Sequence, residues 1–555
     1  FYALFLKKDS KRLCFCVYRV DGLITTLISK EAFRVSNSRR KKLARRKRKI
    51  LDRLAPRAWE PQDEPMFTAR NIHYELADRV HGLGPGGIGA VHLLARRVGL
   101  IEAIDRRLHV LKVHLPYHES DHVLNIAYNL LSGGTCLEDL ELRRNDEVYL
   151  DALGAQRIPD PTTAGDFCRR FAEPDIQALM NAVHEVRVKV WREQAAAFFA
   201  EAIIDADGTL TSTTGECKRG MDISHKGEWG YQVLVVSLAN TGEPLFVMNR
   251  PGNRPSHEGA AWYLDRSARL CKQAGFKRIL LRGDTDFTQT RRLDRWDRAG
   301  YRFIFGIDAM ENLVDIAENL PKRAWKRLKR PAKYEVRTER RLRPDNVKER
   351  IVREREFTNL RLDSEEVAEF DYRPTFCEKT YRIVAVRKNL SVEKGEQMLF
   401  EDVRYFFYLT NDRERSASEV VFKANGRCNQ ENLIEQLKNG VRALHAPVDN
   451  LLSNWAYMVM ASLAWTLKAW FALSLPETGR WSARRKAEKR RVLRMEFKTF
   501  LNAFIRVPCQ IVRTGRRIVY RLLAWNPWQA VFLRGVDALR SPPHGVDEVR
   551  YPMRC

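Results

Sequence analysis

A change of hydrophobic period near residue 198 constrains this chain more than any other feature. Upstream, apolar residues recur at helical spacing; downstream, they come in short runs bounded by turn residues, as in strands buried within a sheet. FFAEAIIDAD, YQVLVVSL and PLFVMN read as three strands, the last two joined by the turn-forming ANTGE. SHEGAAWYLDRSARLCKQAG predicts a helix from Ser256 to Gly275, RILLRGD a fourth strand, TQTRRLDRWDRAG a second helix and YRFIFGID a fifth strand. The order β-β-β-α-β-α-β is an α/β pattern.

Two of these strands run into paired carboxylates. Asp205 with Asp207 closes the first, and Asp284 with Asp286 follows the fourth. Side chains two apart on an extended chain point the same way, so each pair sits together at a strand's carboxyl end. In open α/β sheets that end collects ligands and metals. The competing reading is an aspartate that caps the helix after a strand, and spacing alone leaves both open.

Around this core the chain divides into further regions. Residues 1–65 contain RRKKLARRKRK at 39–49, nine basic residues in eleven; such density predicts a flexible basic arm. The first methionine is Met66, so translation is expected to start near it or at a non-methionine codon. Residues 66–197 read as helical. SDHVLNIAYNLLSGG starts at a candidate N-cap, Ser120, and buries Val123, Leu124, Ala127, Leu130 and Leu131 on one face; PDIQALMNAVHEVRVKVW carries Ile176, Leu179, Met180, Val183, Val186 and Val190 as its stripe. Between them DPTTAGDFCRRF predicts a short helix capped by Thr162 or Thr163. Such a module suits DNA-end binding, helix-turn-helix recognition included; the competing reading is ordinary packing of short helices. The densely charged 322–415, with strand-like KTYRIVAVR and RYFFYLT, reads as a β-rich insertion. Helical pattern returns in 416–475, and 476–555 reads as a basic helical close.

Charge narrows the partner. Lys plus Arg at 97 against Asp plus Glu at 70 gives a formal +27, and so large an excess suits a polyanion, nucleic acid first. Ten scattered cysteines without a CxxC argue against zinc ribbons and a disulfide scaffold, and for reduced thiols in the cytoplasm. The apolar stretch 451–473 is interrupted by Asn454 and Lys468, which predicts a buried core helix rather than a membrane span. GLGPGGIG at 82–89 follows no buried strand, so it reads as a Gly-rich turn before a helix and not as a dinucleotide fingerprint. His114, His118 and His122 recur every four residues across Pro116; they read as surface or capping histidines, not a zinc site.

In RCNQENLIEQLK the spacings of four and seven put Arg427, Glu431 and Lys438 on one helical face. A glutamate facing two strand-end aspartates can hold two divalent cations about 4 Å apart, the arrangement that in-line phosphodiester chemistry requires. Basic neighbours such as Arg427 and Lys438 would then hold phosphates.

DADGT, the block GYQVLVVSLANTGEPLFVMNRPGNRPSHEG, RGDTDF with LDRW and FIFG, and Arg427-Glu431-Lys438 together resemble a bacterial insertion-sequence DDE transposase. The likeness is to the insertion-sequence 1380 group, within the branch carrying a Y-x2-R-x3-E-x6-K signature, and runs from about residue 67 to about 535. One departure is visible: the signature tyrosine falls on Ala424. The resemblance implies a ribonuclease-H-like catalytic domain with a β-rich insertion between the second aspartate and the glutamate, preceded by an α-helical DNA-binding region. It implies a metal triad of Asp207, Asp284 and Glu431 holding two Mg2+ or Mn2+ ions, with Asp205 and Asp286 the alternatives within each pair. DNA contacts would come from Arg427, Lys438, Arg250, Asn253 and Arg254. The expected activity is cleavage at the element's terminal inverted repeats and transfer of the 3′-hydroxyl ends into target DNA, by a dimer or larger assembly in the bacterial cytoplasm. The rivals are a stand-alone nuclease of the same fold and a domesticated DNA-binding protein without catalysis.

Overall fold

The computed structural model describes residues 36–55, 80–114, 116–215, 217–330, 350–351, 354–356, 358–394, 397–514 and 517–541; Met66 lies outside them. The basic stretch 39–49, expected as a flexible arm, is α-helical within Asn37–Leu54. Arg and Lys are good helix formers, and Ser36 caps the start by accepting from the Arg39 amide at 3.3 Å. None of its residues is buried. It leans on the far end of the chain through Arg39 to Asp537 at 3.2 Å and Arg46 to the Leu522 carbonyl at 3.0 Å.

Among the helices that follow, α1 (Glu119–Leu131) and α2 (Glu173–Arg192) bury every residue of their expected stripes. Two caps differ from expectation. His118 caps α1, while the Ser120 hydroxyl donates to Asp105 at 2.9 Å. Helix Pro161–Arg169 is capped by Asp160, whose carboxylate accepts from the Thr163 amide at 2.9 Å; an extended aspartate before a proline at the first helical position is the better acceptor.

The five strands from 198 to 321 are β1 (Glu201–Ser212), β2 (Trp229–Leu238), β3 (Glu243–Pro251), β4 (Arg278–Gly283) and β5 (Arg302–Ile307). They lie in the order β3-β2-β1-β4-β5, with β1, β4 and β5 parallel and β2 antiparallel to both neighbours. Helices α3 (Ala260–Ala274) and α4 (Thr290–Arg298) make the connections around β4. β1 does not end at its aspartates: it pairs with β2 as far as Ser212 opposite Gly230. Its pairing with β4 stops earlier, at Asp205 opposite Arg282. Asp207 therefore stands just past the end of β4, where the sheet opens.

The charged stretch after residue 322 extends this same sheet. β6 (Thr358–Tyr372), β7 (Tyr381–Lys394) and β8 (Gln397–Thr410) form an antiparallel meander, and β8 pairs with β5. Helix α5 (Ala417–Asn425) packs Val420 and Val421 against Leu280, Ile304 and Val384. It leads into α6 (Cys428–Glu435). Helix α7 (Leu451–Leu473) is long and apolar enough to cross a membrane, yet the whole apolar window is buried. It packs against α1, α2 and β3, so the helical regions share one core with the sheet.

The closing region is not purely helical. Strands Cys509–Thr514 and Arg517–Leu522 form a hairpin that pairs with Gly82–Leu83. The Gly-rich turn ahead of helix Ile88–Arg97 lies against the chain just before that hairpin: a Cβ on Gly87 would lie 1.9 Å from the Phe504 carbonyl oxygen and one on Gly86 2.4 Å from that of Val507.

Candidate active site

On β1, Asp205 and Asp207 point to the same side and meet different partners. Asp205 is fully buried and receives two hydrogen bonds from Arg282 of β4, at 2.7 and 2.6 Å. The third nitrogen of that guanidinium donates to the Lys423 carbonyl at 2.5 Å, which ties the end of α5 to the sheet. Burial pushes the Asp205 carboxyl up, and the Arg282 charge opposes the shift. Every polar atom of this pair is engaged, so Asp205 is a structural anchor.

Asp207 faces Arg427, the residue that caps α6. The Arg427 guanidinium lies 3.1 Å from Asp207, 3.6 Å from Asp284 and 3.3 Å from Glu431. Asp284 arrives at this point because β4 ends at Gly283 and the chain turns at once into a short 3-10 helix that Asp284 caps. α6 is held over β2 by Gln430, which accepts from the Ser237 hydroxyl and donates to the Val235 carbonyl at 2.9 Å. Three carboxylates from three separate elements thus converge on one guanidinium. Burial, reinforced by Asp284 and Glu431 and opposed by Arg427, pushes the Asp207 carboxyl up to about 6. Asp284 is shifted up as well, by burial first and then by Asp286 and Glu431. Burial disfavours the Arg427 charge, yet the surrounding carboxylates hold its pKa above the usual value.

The remaining sequence candidates fall differently. Asp286 is exposed, and its backbone amide donates to Asp284 at 3.2 Å. Lys438 does not continue the face of α6: the helix passes into a π turn over Gln436–Gly440, and the half-buried Lys438 ammonium donates to the Leu210 carbonyl at 2.6 Å. Arg250 corrects the expectation of a DNA contact. It is buried and gives its donors to the carbonyls of Gln232, Pro255, Ser256 and Glu258, shaping the turn that Asn253 and Arg254 occupy. Those two are exposed, Asn253 donating to Asp222 at 2.6 Å and Arg254 lying 3.8 Å from Glu258. Near Ala424, the Tyr408 hydroxyl of β8 reaches Asn425 at 3.4 Å. His114 pairs with Glu119 and His118 caps α1, but His122 is buried against Phe167.

Sequence reasoning missed two residues, Arg282 and Gln430. Arg282 had a signal, a buried-strand cation opposite an aspartate; Gln430 had none.

The donor chemistry suits a hard divalent cation, which prefers carboxylate oxygens. Three carboxylates against one guanidinium leave a net charge of −2. Among the described residues no three His, Cys, Asp or Glu side chains stand close enough together to hold a metal ion as they are placed; the Arg427 guanidinium lies among Asp207, Asp284 and Glu431.

The model of the family described as "Transposase DDE domain group 1" matches residues 84–543, and the chain belongs to that family. It is accordingly an enzyme of the DDE transposase type, a class that acts on DNA with divalent metal ions. No curated protein matches the chain. A solved structure it resembles is the piggyBac transposase synaptic complex with hairpin DNA, at 9% identity and a TM-score of 0.33 over 76% of this chain and 81% of that one.

Proposed function

We propose that the protein cuts DNA at the terminal inverted repeats of its own insertion sequence and transfers the freed 3′-hydroxyl ends into target DNA. The observation that carries this reading is the convergence of Asp207, Asp284 and Glu431 on Arg427, from a strand, a strand end and a helix. The strand order β3-β2-β1-β4-β5, with a meander added beyond β5, supports a ribonuclease-H-like catalytic domain; the further reading, a bacterial member of the insertion-sequence 1380 group, rests on the sequence motifs alone. Asp207, Asp284 and Glu431 would hold two ions, Mg2+ or Mn2+. When bound, such ions activate a water or 3′-hydroxyl and stabilise the leaving oxygen.

The chain's own residues supply placement. Arg282 and Gln430 fix the elements that carry the carboxylates. Arg427 neutralises part of the carboxylate charge. For ions to enter, its guanidinium has to leave that position, and a DNA phosphate is the partner whose geometry a guanidinium matches. Exposed Arg254 and Asn253 lie on the turn after β3 and extend the expected DNA track. Pairing of two element ends calls for at least a homodimer, working on cytoplasmic DNA.

The test is incubation of the full-length protein with DNA carrying its gene's own flanks and Mg2+ or Mn2+, resolved on a denaturing gel beside Glu431→Ala. Metal-dependent breaks confined to the element ends and absent from the variant are expected. The replacement of the signature tyrosine by Ala424 bears on end positioning rather than on the carboxylates; end binding without breaks would establish the rival, a DNA-binding protein that no longer cuts.

A further inference from the structure

The sheet has a second face, and it carries an unassigned groove. Ile203 packs with Val420 and Val421 of α5 on the side to which Asp205 and Asp207 point. Ala202, Ile204 and Ala206 join the core that holds Leu264, Ala268 and Cys271 of α3. α3 therefore lies opposite the carboxylates. Between its outer stripe and that of α2 runs a groove of about 950 Å3.

Its lining combines cations with an aromatic ring. Arg107, Lys189, Arg192, Arg266 and Arg269 border it against a single carboxylate, Glu185. That carboxylate is already taken up by Arg106 at 2.5 Å, Arg107 at 2.9 Å and Lys189 at 3.3 Å. Among the described residues Arg192 and Arg269 meet only backbone carbonyls, those of Gln273 and Asp265. Trp262 is half exposed, and its ring is held by the Arg266 guanidinium 4.5 Å above it. At the groove wall His184 is buried, and its Nδ1 faces the Arg187 guanidinium. Arginine can only donate, so the imidazole proton belongs on Nε2, which has no hydrogen-bond partner among the described residues. An unpaired buried donor is costly.

We propose that this groove binds DNA, gripping the sugar-phosphate backbone through Arg192 and Arg269 and stacking a base or sugar on Trp262. The surface is separate from the carboxylate site, so the DNA it holds is another segment, or another molecule, from the one being cut. Clustered cations beside an exposed aromatic ring are the features that hold a nucleic-acid strand independently of its sequence. The inference deepens the transposase reading by adding a second DNA contact surface to it.

The experiment follows binding of labelled single- and double-stranded DNA to the full-length protein by fluorescence anisotropy, as a function of salt. Wild type is compared with Trp262→Ala and with the double variant Arg192→Ala/Arg269→Ala, whose exposed side chains leave the core untouched. Loss of two phosphate contacts shrinks the fall in affinity between about 50 and 200 mM salt by about tenfold. Trp262→Ala weakens single-strand binding by about tenfold. Superimposable salt plots for all three proteins would overturn the groove. End cleavage by the same preparations separates the readings: coinciding plots with intact cleavage remove the groove alone, whereas a wild type that neither binds nor cuts removes both.

Discussion

Two ion clusters lie two residues apart on β1 and behave as opposites. At Asp205 one carboxylate meets one guanidinium, side by side, with 1% and 4% of the side chains exposed. At Asp207 three carboxylates share one guanidinium through single long contacts, and Glu431 is mostly exposed. The first cluster is balanced and sealed, so it holds two strands together. The second is short of positive charge and open to solvent, the setting that the proposed cation uptake requires. An aspartate's neighbours, rather than its motif, decide which of these it does.

The sharpest break of this comparison is catalytic. Asp207→Ala and Glu431→Ala are each expected to lower end cleavage on the order of a thousandfold or more, with DNA binding kept; cleavage by either variant at near wild-type rates would dissolve the distinction between the clusters. The reverse substitution should strike stability instead. Asp205→Ala leaves Arg282 buried without its counter-ion, which costs about 3–5 kcal/mol; urea unfolding should show that loss, and Asp207→Asn should show none.

A third difference is in pH. The Asp207 pKa is raised by burial from 3.8 to about 6, so the folded protein binds this proton more tightly than the unfolded chain. The stabilisation is complete below about pH 4 and is lost as pH rises through 6, on the order of 3 kcal/mol in all. Melting curves of the metal-free protein should show this decline, and Asp207→Asn should flatten it. The smallest expected effect concerns Arg427. With its guanidinium removed, as in Arg427→Gln, divalent ions meet no competitor, and Mn2+ affinity without DNA should rise about tenfold by titration calorimetry. Unchanged or weaker affinity would mean that Arg427 shapes the site instead of occupying it.

Much of the architecture was legible because it is local. The five strands, α3 and α4 follow from period, turn residues and glycines between residues 198 and 307, and the meander from its aromatic strands. Caps were less legible: Ser120 and Thr162 or Thr163 are acceptable cap residues, but His118 and Asp160 have the extended backbone, and Asp160 also supplies the acceptor. The basic 39–49 stretch misled because charge density argues against burial, not against a helix, and its Arg, Lys, Leu and Ala residues are all good helix formers. The C-terminal hairpin was missed because its partner, Gly82–Leu83, lies more than 400 residues away in the chain.

By itself the sequence determined the α/β rhythm, the chemistry on offer and the residues from which a triad could be drawn. It could not choose between Asp205 and Asp207, since side chains two apart on a strand share a direction by construction. Tertiary structure gives the two different surroundings by setting Arg282 opposite one and ending β4 beside the other. It likewise withdrew Arg250 into a web of carbonyls, turned Lys438 aside at a π turn and brought Arg427 among the carboxylates. Each of these depends on groups distant in sequence meeting where the low-dielectric interior makes every unpaired charge expensive, so only the folded chain could decide them.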